Sequence, residues 1–107
     1  MAKIIKEDSA LGATIDEIDL RESLKTKEID FIKQSLAEYE VIFFRDQDIS
    51  SEEQINLAKH FGPLEKHIYV KGREEYPEIL RIIKEPDEKH QWGETWHTDV
   101  SYNPKPS

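Results

Sequence analysis

The chain has 107 residues, a formal net charge of -8, 36% hydrophobic and 36% charged residues, and no cysteine. That length holds one small domain or part of one, and the mixture is polar yet supplied with enough Ile, Leu, Phe and Tyr for a core. The charge, with Lys and Arg scattered among acids, argues against nucleic acid, and the missing cysteine excludes disulfides, Cys-based zinc sites and thiol nucleophiles.

Any metal must therefore be held by His and carboxylates. The first eight residues lack the apolar core of a signal peptide, and no apolar run is long enough to span a bilayer. No membrane partner and a cytoplasmic location are the expectations.

Residues 3–7 and 13–20 carry alternating or β-branched apolar side chains around the turn signal Ser9-Ala10-Leu11-Gly12, which predicts two short strands at a sheet edge. From Thr26, a candidate cap, Ile29, Ile32, Leu36 and Tyr39 recur at helical spacing and predict a helix to about Glu38. The dense run Val41-Ile42-Phe43-Phe44, ended by Arg45-Asp46-Gln47-Asp48, reads as a buried central strand.

Ser50-x-x-Glu53 is a capping box, and Ile55, Ala58 and Phe61 mark the buried stripe of a second helix that Gly62-Pro63 stops. Residues 79–83 predict another strand between Pro77 and Glu85-Pro86-Asp87, and residues 88–94 have loop composition. A last strand is expected around residues 96–102. No closing helix or partner strand follows it, so the sequence is expected to stop in mid-fold.

His97 and Asp99 are two apart. On an extended segment their side chains leave one face, with Cα atoms about 6.5 to 7 Å apart, so both reach a single ion. Bonds to first-row metals are about 2 Å, and His with carboxylate suits Fe(II), Mn(II) or Zn(II). A facial triad of two His and one carboxylate needs one more His, and none follows position 97. H-x-D alone is a short pattern that recurs by chance, and a His in a turn equally well serves a local hydrogen bond.

Four stretches in order add context. They are Gly12-Ala13-Thr14-Ile15 with Asp19-Leu20, then Val41-Ile42-Phe43-Phe44-Arg45-Asp46-Gln47, then Ala58-Lys59-His60-Phe61-Gly62-Pro63-Leu64, and last Trp96-His97-Thr98-Asp99-Val100. In these the chain resembles the taurine dioxygenase and 2,4-dichlorophenoxyacetate dioxygenase group. The resemblance covers nearly all of this chain and about the N-terminal third of a family member.

It implies an α+β chain, residues 1–107, that forms the N-terminal segment of a double-stranded β-helix (jelly-roll) dioxygenase. It also implies Fe(II) held by His97, Asp99 and a distal His, with 2-oxoglutarate as cosubstrate anchored by a downstream Arg. A small anionic organic molecule, a sulfonate, sulfate ester or carboxylate, would be oxidised with molecular oxygen. A homo-oligomer is one assembly open to the parent. The isolated segment is expected to be inactive.

The resemblance further implies substrate contacts. His67 matches a histidine that holds the sulfonate in taurine-type members, the backbone amide of Val100 matches a second sulfonate contact, and Tyr102 aligns with an aromatic pocket wall. Set against these are a solvated loop histidine beside Lys66 and an ordinary strand aromatic.

The chain departs from the taurine pattern in two places. Gly93 stands where that pattern has Asn, and Val70 stands where it has Tyr, with Tyr69 one residue early. A different amine-end pocket is expected, since pocket contacts set specificity while the iron oxidises.

Trp92 and Trp96 are expected to pack and orient the ligand strand, and Arg45 and Asp46 to cap a strand end at the surface. His60 and His90 read as solvated and without evident partners. Two alternatives remain open at this point: a non-enzymatic α+β interaction module, and a small metal-binding protein that completes its site with His90 or His67.

Overall fold

The computed structural model describes residues 1–106; Ser107, the end of the expected 1–107 segment, lies outside the described residues. The chain divides into two compact units, Met1–Glu65 and a second that starts at Lys66.

The first unit runs β1 (Lys3–Lys6), β2 (Ala13–Asp16), α1 (Thr26–Tyr39), β3 (Ile42–Phe43) and α2 (Ser51–Lys59). β1 and β2 form an antiparallel hairpin with Lys3 opposite Asp16 and Lys6 opposite Ala13. Gly12, at φ +103, closes the turn, and its carbonyl accepts from Glu7 N at 3.1 Å. β2 then pairs with β3 in parallel, Ala13 beside Ile42 and Thr14 beside Phe43. A parallel pair needs a crossover, which α1 supplies.

Alternation along β2 decides its two faces. Ala13 and Ile15 are buried with Leu20, Ile29 and Ile32, while Thr14 turns away and its hydroxyl donates to the Glu7 carboxylate at 2.6 Å. Ser35 fills the next turn of the α1 stripe and satisfies its hydroxyl on the Phe31 carbonyl at 2.7 Å.

Several expectations are corrected. The α1 cap is Lys25, whose N–H donates to the Glu28 carboxylate at 2.7 Å, and Thr26 is the first helical residue. Leu36 is 37% exposed, so the buried stripe narrows towards the helix end. β3 is an edge strand of two residues in the order β1-β2-β3, with Phe43 39% exposed; it is not a buried central strand, because only β2 flanks it in the described sheet.

In α2 the capping box forms as expected, with Ser50 Oγ accepting from Glu53 N at 3.2 Å and Ser50 N donating to Glu53 at 2.7 Å. No residue of that helix is fully buried, however, and Phe61 is exposed. Arg45 is a surface residue as expected, stacked over Phe43 with its guanidinium carbon 4.9 Å from the ring centroid.

Gln47 explains part of the Arg45-Asp46-Gln47 run. Its Oε1 accepts from Leu20 N at 2.9 Å, and its Nε2 donates to Ile18 O and Arg45 O, both at 3.0 Å. One side chain thus satisfies three backbone groups from two segments and holds the loop after β2 against the loop after β3.

The second unit has neither helix nor strand among the described residues. The strands expected at 79–83 and 96–102 are not formed. Their backbone groups are used in turns instead: Arg73 N to Ile79 O and Ile79 N to Tyr76 O at 2.9 Å each, and Asn103 N to Val100 O at 2.9 Å. Val100 at φ +41 also bends the chain out of an extended path. A β-branched run forms a strand only with a ladder partner, and Ile82 and Ile83 remain exposed. Gly72 is required where it stands, since a Cβ there would overlap the Pro77 carbonyl.

Candidate functional site

The residues singled out in the second unit fall into two groups. The first is His97 with Asp99. Although the segment is not a strand, the two side chains meet: His97 Nε2 lies 3.0 Å from Asp99 Oδ1. The other ring nitrogen, Nδ1, lies 2.6 Å from the Thr95 carbonyl, which has only acceptor capacity, so Nδ1 carries a proton and donates.

That arrangement fits a metal. A histidine ligand usually gives its second ring N–H to a backbone carbonyl, which fixes the tautomer and leaves Nε2 for the ion. The 3.0 Å Nε2–Oδ1 separation is that of a hydrogen-bonded ion pair, and it leaves a nitrogen and a carboxylate oxygen close enough that both could hold one ion.

Both side chains are open to solvent, His97 half exposed and Asp99 more so. The hydrogen bond to the Thr95 carbonyl raises the His97 pKa above the ordinary histidine value; desolvation opposes it, and the charge and hydrogen bond of Asp99 add to the rise. A cation held by the pair would take the place of a proton shared between Nε2 and Asp99. Among the described residues no cluster of three or more His, Cys, Asp or Glu could hold a metal, so an ion held by this pair would need further ligands.

Gly93 belongs to this group, and sequence reasoning noted it only as a departure. It sits at φ +70, and a Cβ there would stand 3.2 Å from His97 Cε1. His90, expected to be unpaired, is joined to Glu94 at 2.8 Å, and Gln91 N together with His90 lowers the Glu94 pKa. That removes His90 from the His97 pair and supports a local loop role. Trp92 and Trp96 are exposed, 63% and 104%, and do not pack as expected, because among the described residues of this unit no strand or sheet face is formed for them to lie against.

The second group is His67, Tyr69 and Tyr102. Tyr102 Oη is 2.8 Å from His67 Nε2, and Nδ1 of the same ring accepts from Tyr69 N and Val70 N at 3.1 Å each. The three rings meet edge to face, Tyr69 and Tyr102 with centroids 4.9 Å apart. His67 and Tyr102 are thus brought together across 35 positions, and the Tyr69 ring joins them. Val100 is half-buried near the turn that carries Asn103. In sequence His67 and Tyr102 were associated only through the family resemblance, as substrate contacts.

A depression of about 440 Å³ in the same unit is lined by Leu80, Ile82, Ile83, His90 and Trp92 among others, and by none of His67, His97, Asp99 or Tyr102. The chemistry-bearing groups lie outside it.

Comparison with known proteins shows a match to the family model described as taurine catabolism dioxygenase TauD, TfdA family, over residues 5–107. The alpha-ketoglutarate-dependent 2,4-dichlorophenoxyacetate dioxygenase of Cupriavidus pinatubonensis is 32% identical over 108 residues, covering 85% of this chain and 37% of that protein. An alkylsulfatase of Acinetobacter baylyi is 32% identical over 93 residues, covering 86% of this chain and 28% of that protein. The crystal structure of AAD-2 in complex with Mn(II) and N-oxalylglycine superposes with a TM-score of 0.58 at 28% identity, over 60% of this chain and 25% of that one. The chain therefore spans roughly a third of the length of the curated relatives it matches.

Proposed function

The chain belongs to the taurine catabolism dioxygenase TauD, TfdA family, and from that premise we propose that it is part of an Fe(II)- and 2-oxoglutarate-dependent dioxygenase in which His97 and Asp99 are two of the iron ligands. The observation that carries this reading is the 3.0 Å approach of His97 Nε2 to Asp99 Oδ1 with Nδ1 tied to Thr95. Bound iron with 2-oxoglutarate and oxygen supplies the oxidising chemistry. This chain's own part is to present Nε2 and a carboxylate oxygen together, with the imidazole held against rotation by its backbone carbonyl.

The third ligand and the arginine for 2-oxoglutarate come from outside this chain in this proposal, as does the remainder of a double-stranded β-helix. The substrate is a small organic anion, a sulfonate, sulfate ester or carboxylate, whose head group lies near His67, Val100 and Tyr102. Relatives named for a dichlorophenoxyacetate and for alkyl sulfates support an anionic class. A cytoplasmic location belongs to the same proposal; no described helix is long and apolar enough to cross a membrane.

The test is 2-oxoglutarate-dependent succinate release with an alkyl sulfonate, an alkyl sulfate and a phenoxyacetate, by this chain alone and by the protein carrying its downstream sequence. The 107 residues alone are expected to release none, and the longer protein is expected to lose release on His97→Ala. Turnover by the chain alone would overturn the completion of the site from outside. A longer protein inert with 2-oxoglutarate would overturn the dioxygenase reading.

A further inference from the structure

The sheet of the first unit has two outer edges, and their residues differ in kind. β1 carries Lys3 and Lys6 at its ends, the residue type that keeps a free edge from pairing further. β3 lies at the other edge of the order β1-β2-β3, inside the run Val41-Ile42-Phe43-Phe44, which has no charge, Pro or Gly to blunt it. The Val41 carbonyl faces β2, where Ala13 N donates to it at 3.0 Å. Backbone groups alternate sides along a strand, so the N–H and C=O of Ile42 point away from β2, to the side where the described sheet has no further strand.

The side chains agree with the backbone. Ile5, Thr14 and Phe43 lie side by side across the three strands, on the face opposite Ala13 and Ile15. That row is open at its Phe43 end: Phe43 is 39% exposed, and Val41, two residues earlier on the same face, 40%. A strand laid on the β3 edge would satisfy both Ile42 groups and extend the row with a side chain beside Phe43.

We infer that the outer edge of β3 is a docking edge for a further strand, one formed only in the longer protein of which this chain is part. This rests on the proposed function for that continuation and locates where it joins. The chain covers 37% of the dichlorophenoxyacetate dioxygenase and 28% of the alkylsulfatase, so most of such a protein is available to supply the strand. A second copy of this chain is the poorer occupant: the strand it offers is two residues long, and each copy carries a net charge of -8.

Hydrogen exchange followed residue by residue tests the edge. In the protein carrying its downstream sequence, the Ile42 amide is expected to exchange at least about a hundredfold more slowly than in this chain alone. Ile42→Pro removes the outward N–H and no bond to β2, a change that an edge strand tolerates, and Ile42→Ala controls for the lost side chain. In this chain the two variants are expected to lower the urea midpoint alike. In the longer protein Ile42→Pro is expected to lower it well beyond Ile42→Ala.

Fast exchange at Ile42 in the longer protein would sink the inference, as would equal costs of the two variants there. Slow exchange already present in this chain alone would sink it too, and its dependence on protein concentration would assign the edge to a second copy. Catalysis is read separately. A protected Ile42 in a longer protein that releases no succinate leaves the edge standing without the dioxygenase reading, and turnover with an unprotected Ile42 does the reverse.

Discussion

The backbone of Gly93 lies against the imidazole of His97: a Cβ at Gly93 would be 3.2 Å from Cε1 and 3.8 Å from Nε2. With φ at +70, the position also strains any residue with a branched or bulky side chain. Gly93→Ala is expected to displace the ring from its Thr95 anchor and to weaken Mn(II) binding roughly tenfold, the range of changes behind a metal ligand. Isothermal titration of Mn(II) checks this, and equal affinities would show that the ring moves freely.

The His97–Asp99 pair makes a sharper claim. Mn(II) added to this chain is expected to broaden the ring signals of His97 selectively, and His97→Ala or Asp99→Ala to remove the effect. Replacing His67 or His90 separately should leave Mn(II) affinity within about twofold, because His67 is committed to Tyr102 and His90 to Glu94. Loss of binding with either would favour a small metal-binding protein of different ligands.

Gln47 offers a stability test away from the site. Gln47→Ala leaves Leu20 N and Ile18 O without their side-chain partner, at a cost of about 1 to 2 kcal/mol. Gln47→Glu keeps the acceptor for Leu20 N but sets a carboxylate oxygen against two carbonyls, so it is expected to destabilise as well. Urea unfolding should show both midpoints lowered at unchanged slope. A midpoint equal to that of the parent chain would mean that the loop holds without the amide.

Asp19 supplies the acid-pH prediction. A forked contact from Arg21, 2.6 Å at its shortest, holds the Asp19 pKa at about 2 against a usual 3.8. The folded value is the lower one, so the stabilisation is fully present above 3.8 and is lost as pH falls through about 2. Both groups are exposed and screened by salt, so the effect on unfolding is small and the titration itself is the measurement. Carbon-detected NMR should give an Asp19 midpoint near 2, and Arg21→Ala should return it towards 3.8.

Much of the first unit is legible in the residues because its signals are local. The alternation at Ala13 and Ile15, the Ile29 and Ile32 spacing, and the Ser50–Glu53 box each act over a few positions, and each appears where expected. The errors lie where a partner decides the outcome. Val41 to Phe44 reads as buried, yet burial depends on what flanks an edge strand, and residues 79–83 have strand composition without a strand to pair with.

For the site, the sequence by itself determined that any metal falls to His and carboxylate, and the resemblance carried by the ordered motifs implied His97 and Asp99. The tertiary structure alone decided how those groups are used. Thr95 selects the nitrogen that His97 offers, Gly93 makes room for the ring, and two backbone N–H groups turn the His67 donor onto Tyr102. The reason is physical: residue type sets which atoms can donate or accept, but a tautomer and its direction are set by the hydrogen-bond partners that the folded backbone brings within reach.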